Sequence, residues 1–169
     1  MHKKAIVYPL KYPGGSTHDN FELRHSLRAL DKHLQDDVPV YLISAKKPEF
    51  LNDKIIHIKE KGYMKAMIKA CELADEIIWW NDDIYLIKDL NWEYLRSWRR
   101  TSAQVGIKAQ KQRLESSNGW SRNLGKVIQK LREKGLTTYS YVSHSPYLYE
   151  TKKLKELFEE WDFGYKTSM

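Results

Sequence analysis

Short β-prone runs alternate with stripes of apolar residues at helical spacing, and this alternation limits the possible folds more than any other feature. Residues 4–10 (KAIVYPL), 38–44 (VPVYLIS), 54–58 (KIIHI) and 76–80 (EIIWW) are each short and rich in the residues that fill a pleated surface. Between the first two, Leu23, Leu27, Leu30 and Leu34 recur at i, i+4, i+7 and i+11, one face of a helix that Asp19 and Glu22 are placed to cap. Between the last two, Met64, Met67, Ile68 and Cys71 form a second stripe, predicting a helix over 63–74. Strands that alternate with helices imply an α/β sandwich with a mainly parallel central sheet flanked by helices.

The second half is less regular. NWEYLRSWRR reads as partly helical, AQVGIKA as a strand and QKQRLESSNGWS, residues 110–121, as a long polar loop. Leu124, Val127, Ile128 and Leu131 predict a helix over 121–134 that Gly135 stops. TTYSYVS, residues 137–143, alternates as a strand does, and a last helix from Thr151 would bury Leu154, Leu157, Phe158 and Trp161. At 169 residues the chain is read as a single domain, 1–169, long enough to bury a core without disulfides or a structural metal. The lone Cys71 excludes an internal disulfide and fits core packing. No apolar run approaches the roughly 20 residues of a membrane helix, and MHKKAIVYPL lacks a signal-peptide pattern, so a soluble, cytoplasmic protein is expected.

Two carboxylates, Asp82 and Asp83, follow the apolar run EIIWW directly. A buried carboxylate without a partner costs several kcal/mol or shifts its pKa, so the pair is expected where the strand leaves the core. A helix terminus, a basic side chain or a divalent cation would neutralise it there. In open α/β sheets ligands bind beyond the carboxyl ends of the strands. Three segments fall at such ends: the loop YPLKYPGGSTHDN, the acidic NDD, and SHSP. Asn81, Asp82 and Asp83 offer the hard oxygen ligands that Mg²⁺ or Mn²⁺ prefers, and His144 would add an imidazole better suited to Mn²⁺. An ordinary surface turn and a loop histidine bonded to backbone are the bland readings of the same residues.

Other phosphate and nucleophile motifs are absent. YPGGST lacks the Gly-Lys-Ser/Thr ending of a P-loop, no G-x-G-x-x-G follows the first strand, and no G-x-S-x-G elbow exists. Charge is unevenly spread: from Arg96 to Lys134 eleven Lys or Arg face two acids, a local +9 that leaves −2 for the rest of a chain with net charge +7. Such a segment suits a polyanion, or is simply a solvated helix face.

Taken in order, NFELRHSLRAL, VPVYLISAKKPEFLN, EIIWWNDDIYLIKDL and SHSPYLYE resemble the nucleotide-sugar glycosyltransferases of the GT-A fold. The likeness is strongest to the branch with capsular-polysaccharide, Stealth-type sugar-phosphate transferases and small bacteriophage glycosyltransferase-like proteins. It spans most of residues 4–150. The resemblance implies a Rossmann-like sheet whose D-x-D-type acidic motif holds Mn²⁺ or Mg²⁺ on a sugar nucleotide's diphosphate. Asp83 would then ligate the metal with His144, and Asn81 would face the ribose or a metal-bound water. Tyr8, Pro9 and Lys11 would line the base and ribose pocket, with Arg24 and Lys65 reaching the base or diphosphate. Two departures stand out: Asn81 occupies the first motif position where Asp is usual, and the chain is short for such an enzyme.

The expectation is therefore a metal-dependent glycosyltransferase using a nucleotide-sugar donor such as a UDP-sugar. The basic segment Arg96 to Lys134, with Trp98 and Trp120 interleaved, makes DNA a candidate acceptor, including modified bases of the kind phage proteins glycosylate. A glycan or lipid-linked acceptor, or a non-enzymatic nucleic-acid-binding module on the same fold, are the alternatives. Asp82, Glu150 and Asp162 are candidate bases that the sequence does not rank.

Overall fold

The computed structural model describes residues 2–10, 20–97, 103–140 and 145–160. The chain divides into two compact units, 1–97 with 144–169, and 98–143.

In the first unit, β1 (His2–Leu10), α1 (Phe21–His33), β2 (Val40–Ser44), β3 (Ile55–Lys59), α2 (Tyr63–Ala70) and β4 (Ala74–Trp79) follow one another, then α3 (Trp92–Ser97). Five strands form one sheet in the order β3-β2-β1-β4-β7, where β7 is Tyr147–Glu150. All neighbours are parallel except β4 and β7. The expected Rossmann-like α/β sandwich is thus the observed one. The first three strands step outward to one side of β1, and the chain then returns to its other side as β4. This reversal between β1 and β4 is the topological switch point, where such sheets leave a crevice at the strand ends.

The two faces of the sheet follow from strict alternation along the central strands. Ile6, Tyr8 and Leu10 of β1, with Ile78 and Trp80, pack with Leu23 and Leu30 of α1. Ala5 and Val7, with Ile77 and Trp79, pack with Ala66, Met67 and Ala70 of α2 and Leu154 of α6 (Thr151–Glu160). Each fully buried aliphatic side chain contributes about 1.5–3 kcal/mol by leaving water, and both faces carry many. Strands buried on both faces explain why 5–8 and 77–80 read as continuous apolar runs. Cys71 is buried among them, and burial raises its thiol pKa to about 11, which suits a packing role.

Several boundaries differ from the sequence reading. Asn20, in the left-handed region at φ 48°, is the N-cap of α1 and makes no side-chain cap bond; Asp19 lies outside the described residues. α2 ends at Ala70. In α6 Leu154 is buried as expected, but Leu157 is 40% exposed, and Trp161 lies outside the described residues.

The second unit holds a two-stranded antiparallel ribbon, β5 (Ala103–Gln104) with β6 (Tyr139–Ser140), and two helices, α4 (Ile107–Leu114) and α5 (Gly119–Glu133). Residues 110–121, expected as a polar loop, instead lie largely in these helices. The physical reason is close helix packing without an apolar stripe on α4. A Cβ on Gly125 would stand 3.0 Å from the Leu114 backbone nitrogen and 3.1 Å from Arg113 Cβ. Gly135, at φ 70°, ends α5 as expected: its N–H bonds the Arg132 carbonyl and that of Leu136 bonds the Leu131 carbonyl, a Schellman closure. No helix among the described residues is long and apolar enough to cross a membrane.

Candidate functional site

The acidic residues emerge at the switch point. The Trp80 N–H continues the ladder onto the Val7 carbonyl at 2.9 Å, and Asn81 then opens a turn that the Ile84 N–H closes on the Asn81 carbonyl at 3.3 Å. The chain leaves the core here for a reason written in its side chains. Trp80 is wholly buried, and its indole N–H donates back to the Ile84 carbonyl at 3.1 Å. Asn81 and Asp82 are half-buried and Asp83 is exposed.

A buried hydroxyl pair supports this turn from below. Tyr8, 1% exposed, lies 3.0 Å from the Ser26 hydroxyl, and Ser26 donates to the Ile84 carbonyl. Since a serine hydroxyl has one proton to give, Tyr8 must be the donor in the first bond. Burial is the main cause that raises the Tyr8 phenol pKa, and the charge of Asp82 adds to it. Thus β1, α1 and the turn after β4 are tied through three groups. Tyr8, expected to line the nucleotide pocket, is buried beneath the turn.

The electrostatics around the turn are one-sided. The carboxyl pKa of Asp82 is raised, first by burial and then by the charges of Asp83 and Glu22. The same three carboxylates, after burial, raise the Tyr85 phenol. Glu22, in the first turn of α1, is therefore a third acid near the pair, unanticipated beyond its capping role. Among the described residues no three His, Cys, Asp or Glu side chains form a ready-made metal cluster. Mg²⁺ and Mn²⁺ sites that use one or two carboxylates and complete their shell with substrate phosphates need none. The charges of Asp83 and Glu22 bear on Asp82, and a divalent cation held by Asp82 and Asp83 would offset them.

The remaining expected residues do not all converge here. Pro9 is half-buried at the end of β1, opposite Ile43. Arg24 turns to the β3 side, its guanidinium 4.5 Å from the centre of the Phe50 ring. Lys65 is exposed on α2, which covers the opposite face of the sheet from α1. Glu150 pairs with Glu76 near the amino end of β4 and bonds Lys153. That register carries it away from the acidic turn. Lys11, His144 and Asp162 lie outside the described residues. Tyr147 opens β7 directly opposite Trp79, so Ser145 and Pro146 precede it at the carboxyl end of β4.

In the second unit the basic side chains separate by role. Arg132 donates to the Val105 carbonyl at 2.7 Å and to the Thr138 hydroxyl at 3.3 Å, and so is a structural tie. Lys108, Lys111, Arg122, Lys126 and Lys130 are exposed. Three of these, 122, 126 and 130, recur every fourth residue along one flank of α5.

Comparison of sequences finds no matching family model and no matching curated protein. Comparison of structures finds similarity to the glycosyltransferase GlyE of Streptococcus pneumoniae TIGR4 in its apo form, at 14% identity and a TM-score of 0.43 over 94% of this chain. A second structure of GlyE matches alike. This chain spans 43% of the first GlyE chain and 44% of the second, less than half the length of either. A protein described as a nucleotide-diphospho-sugar transferase from Desulfovibrio desulfuricans G20 matches at 12% identity and a TM-score of 0.42, covering 82% of this chain and 79% of that one.

Proposed function

We propose that this chain is a glycosyltransferase that draws on a nucleotide-sugar donor. The observation that carries the reading is the Asn81–Asp83 turn, which sits at the carboxyl end of β4 at the reversal between β1 and β4 and is held from below by Tyr8 and Ser26. The order of sequence motifs, which resembles GT-A transferases, points the same way. Asp83, exposed at the turn, would hold Mn²⁺ or Mg²⁺ together with Asp82, and the ion would neutralise charge on the departing nucleoside diphosphate. Asn81, half-buried beside them, would orient the donor through its amide. The buried Tyr8–Ser26–Ile84 bonds would hold these groups in place before the donor arrives, which is how a site avoids reorganising during reaction.

For the acceptor, the basic second unit supports a nucleic acid. Arg122, Lys126 and Lys130 on one flank of α5 are spaced to meet a phosphate backbone. Replacing all three by Ser should flatten the salt dependence of DNA binding by up to about 2.7 log units per log unit of salt. The activity test is release of UDP from UDP-sugars in Mn²⁺, with DNA bearing hydroxymethylated bases as acceptor. Release that vanishes in Asp83→Ala supports the reading. Unaltered DNA binding with no nucleotide-sugar turnover or binding would instead mark a nucleic-acid-binding module.

A further inference from the structure

The flank of α1 turned away from the acidic turn borders an open cavity of about 280 Å³, bounded on its other side by Phe50, Leu51, Asn52, Lys54 and Ile55. Along an α-helix, 100° per residue places Arg24 and Arg28 about 200° around from Glu22 and Ser26, the residues that face the turn. The sheet gives the lateral distance. Ile56, Tyr41, Val7 and Trp79 form one row across β3, β2, β1 and β4, and three strand spacings amount to about 14 Å. The cavity, beside Ile55, is thus a different place from the site at the end of β4.

Its chemistry is not that of a plain packing gap. The Arg24 guanidinium lies over the Phe50 ring, and its Nε is buried without a hydrogen-bond partner among the described residues. A buried N–H without an acceptor is desolvation without compensation. Arg28, one helical turn on, lines the same space and is exposed. Lys54 and Asp31 offset each other as an ion pair at 3.3 Å, so the two guanidiniums set the net charge of the cavity. Leu27 and Ile55 supply an apolar wall beside Phe50.

We propose that this cavity binds a small anion with an apolar body, its phosphate or carboxylate oxygens on Arg24 and Arg28 and its body against Leu27, Phe50 and Ile55. With the Arg24 side chain turned so that its Nε meets the cavity, an anionic oxygen would give that N–H the acceptor it lacks, and guanidinium planes match both oxyanions in a forked geometry.

The experiment is a ¹H–¹⁵N titration of the full chain with phenyl phosphate and, separately, benzoate, with benzyl alcohol as the neutral control. The expected result is saturable shifts centred on residues 24–31 and 50–55 for at least one anion and none for the alcohol. The tighter anion identifies whether the natural ligand presents phosphoryl or carboxylate oxygens. Arg28→Gln, at an exposed position that leaves the core intact, should weaken binding about tenfold, as loss of one charge-assisted pair does. Arg24→Gln should weaken it at least as much. Absence of saturable shifts, shifts centred on residues 81–84, or unchanged affinity in Arg28→Gln would overturn the proposal. Because the site lies apart from the acidic turn, loss of UDP-sugar turnover in Asp83→Ala bears on the glycosyltransferase reading and leaves this result unaffected.

Discussion

Removing the Ser26 hydroxyl tests whether the acidic turn is held by the buried prop beneath it. Ser26→Ala deletes two hydrogen bonds, but their losses are unequal. The Ile84 carbonyl keeps the Trp80 indole as a donor at 3.1 Å, so it remains satisfied. The Tyr8 hydroxyl, in a side chain 1% exposed, loses its acceptor and stays buried. An orphaned buried polar group costs about 1–3 kcal/mol. For a chain of this size that lowers Tm by about 2–4 °C per kcal/mol. Tyr8→Phe removes the orphan at its source while Ser26 still donates to Ile84, and should cost only about 0.5–1.5 kcal/mol. The double variant lacks both groups, so it should be more stable than the sum of the two singles implies, with a coupling of about 0.5 kcal/mol or more. Urea unfolding of the four proteins at unchanged m-value measures the cycle. Additive losses, or a Ser26→Ala protein within about 0.5 kcal/mol of wild type, the ordinary scatter of neutral sites, would refute the prop.

Other substitutions separate stability from chemistry. Asp82 has a folded-state pKa raised above 3.8, mainly by burial, so it binds more protons folded than unfolded and its contribution to stability falls as pH rises through that interval. Asp82→Asn should therefore raise Tm at pH 7 and lose that gain below pH 3.8, while weakening cation-dependent turnover; a lower Tm at pH 7 in a thermal scan would contradict the burial argument. Asp36 behaves oppositely, its pKa lowered first by the Lys4 hydrogen bond and then by the Trp92 N–H, so Asp36→Asn should destabilise at pH 7 and match wild type once pH falls well below 3.8, read by the same scans. Gly125→Ala tests the close contact of α4 with α5: helix propensity favours Ala by about 1 kcal/mol, yet the Cβ would press on the Leu114 backbone at 3.0 Å, and overpacking of about 1–3 kcal/mol should leave a net loss by urea unfolding.

What could be read in advance follows from where the physics is local. Leu23, Leu30 and Met67 lie on periodic stripes, and all are buried where the stripes put them. The runs 5–8 and 77–80 announce central strands because both faces of the sheet are covered. By contrast α4 has no stripe to read: Ile107 is 62% exposed and a glutamine, Gln110, is buried in its place. Its end packs closely on a glycine eleven residues further along, at 125, which no local window contains. The site divides in the same way. Asp82 and Asp83 were legible because charges directly after a buried run must sit at its exit. Glu22 and Ser26 were not, since their partners are distant in sequence, and the burial of Tyr8 under α1 is likewise a tertiary fact. Arg24 faces Phe50 for a reason of helix phase: two residues past Glu22, it emerges on the other flank.

The most direct test of the central claim is isothermal titration of UDP into the full chain in Mn²⁺, in EDTA, and into Asp83→Ala in Mn²⁺. Asp83 is exposed, so its replacement leaves the core untouched. A metal-held nucleotide diphosphate predicts one-to-one binding in Mn²⁺ with Kd at least about tenfold weaker in each of the other two conditions, a difference of about 1.4 kcal/mol. Equal affinity in all three would show that the acidic turn plays no part in holding a nucleotide diphosphate.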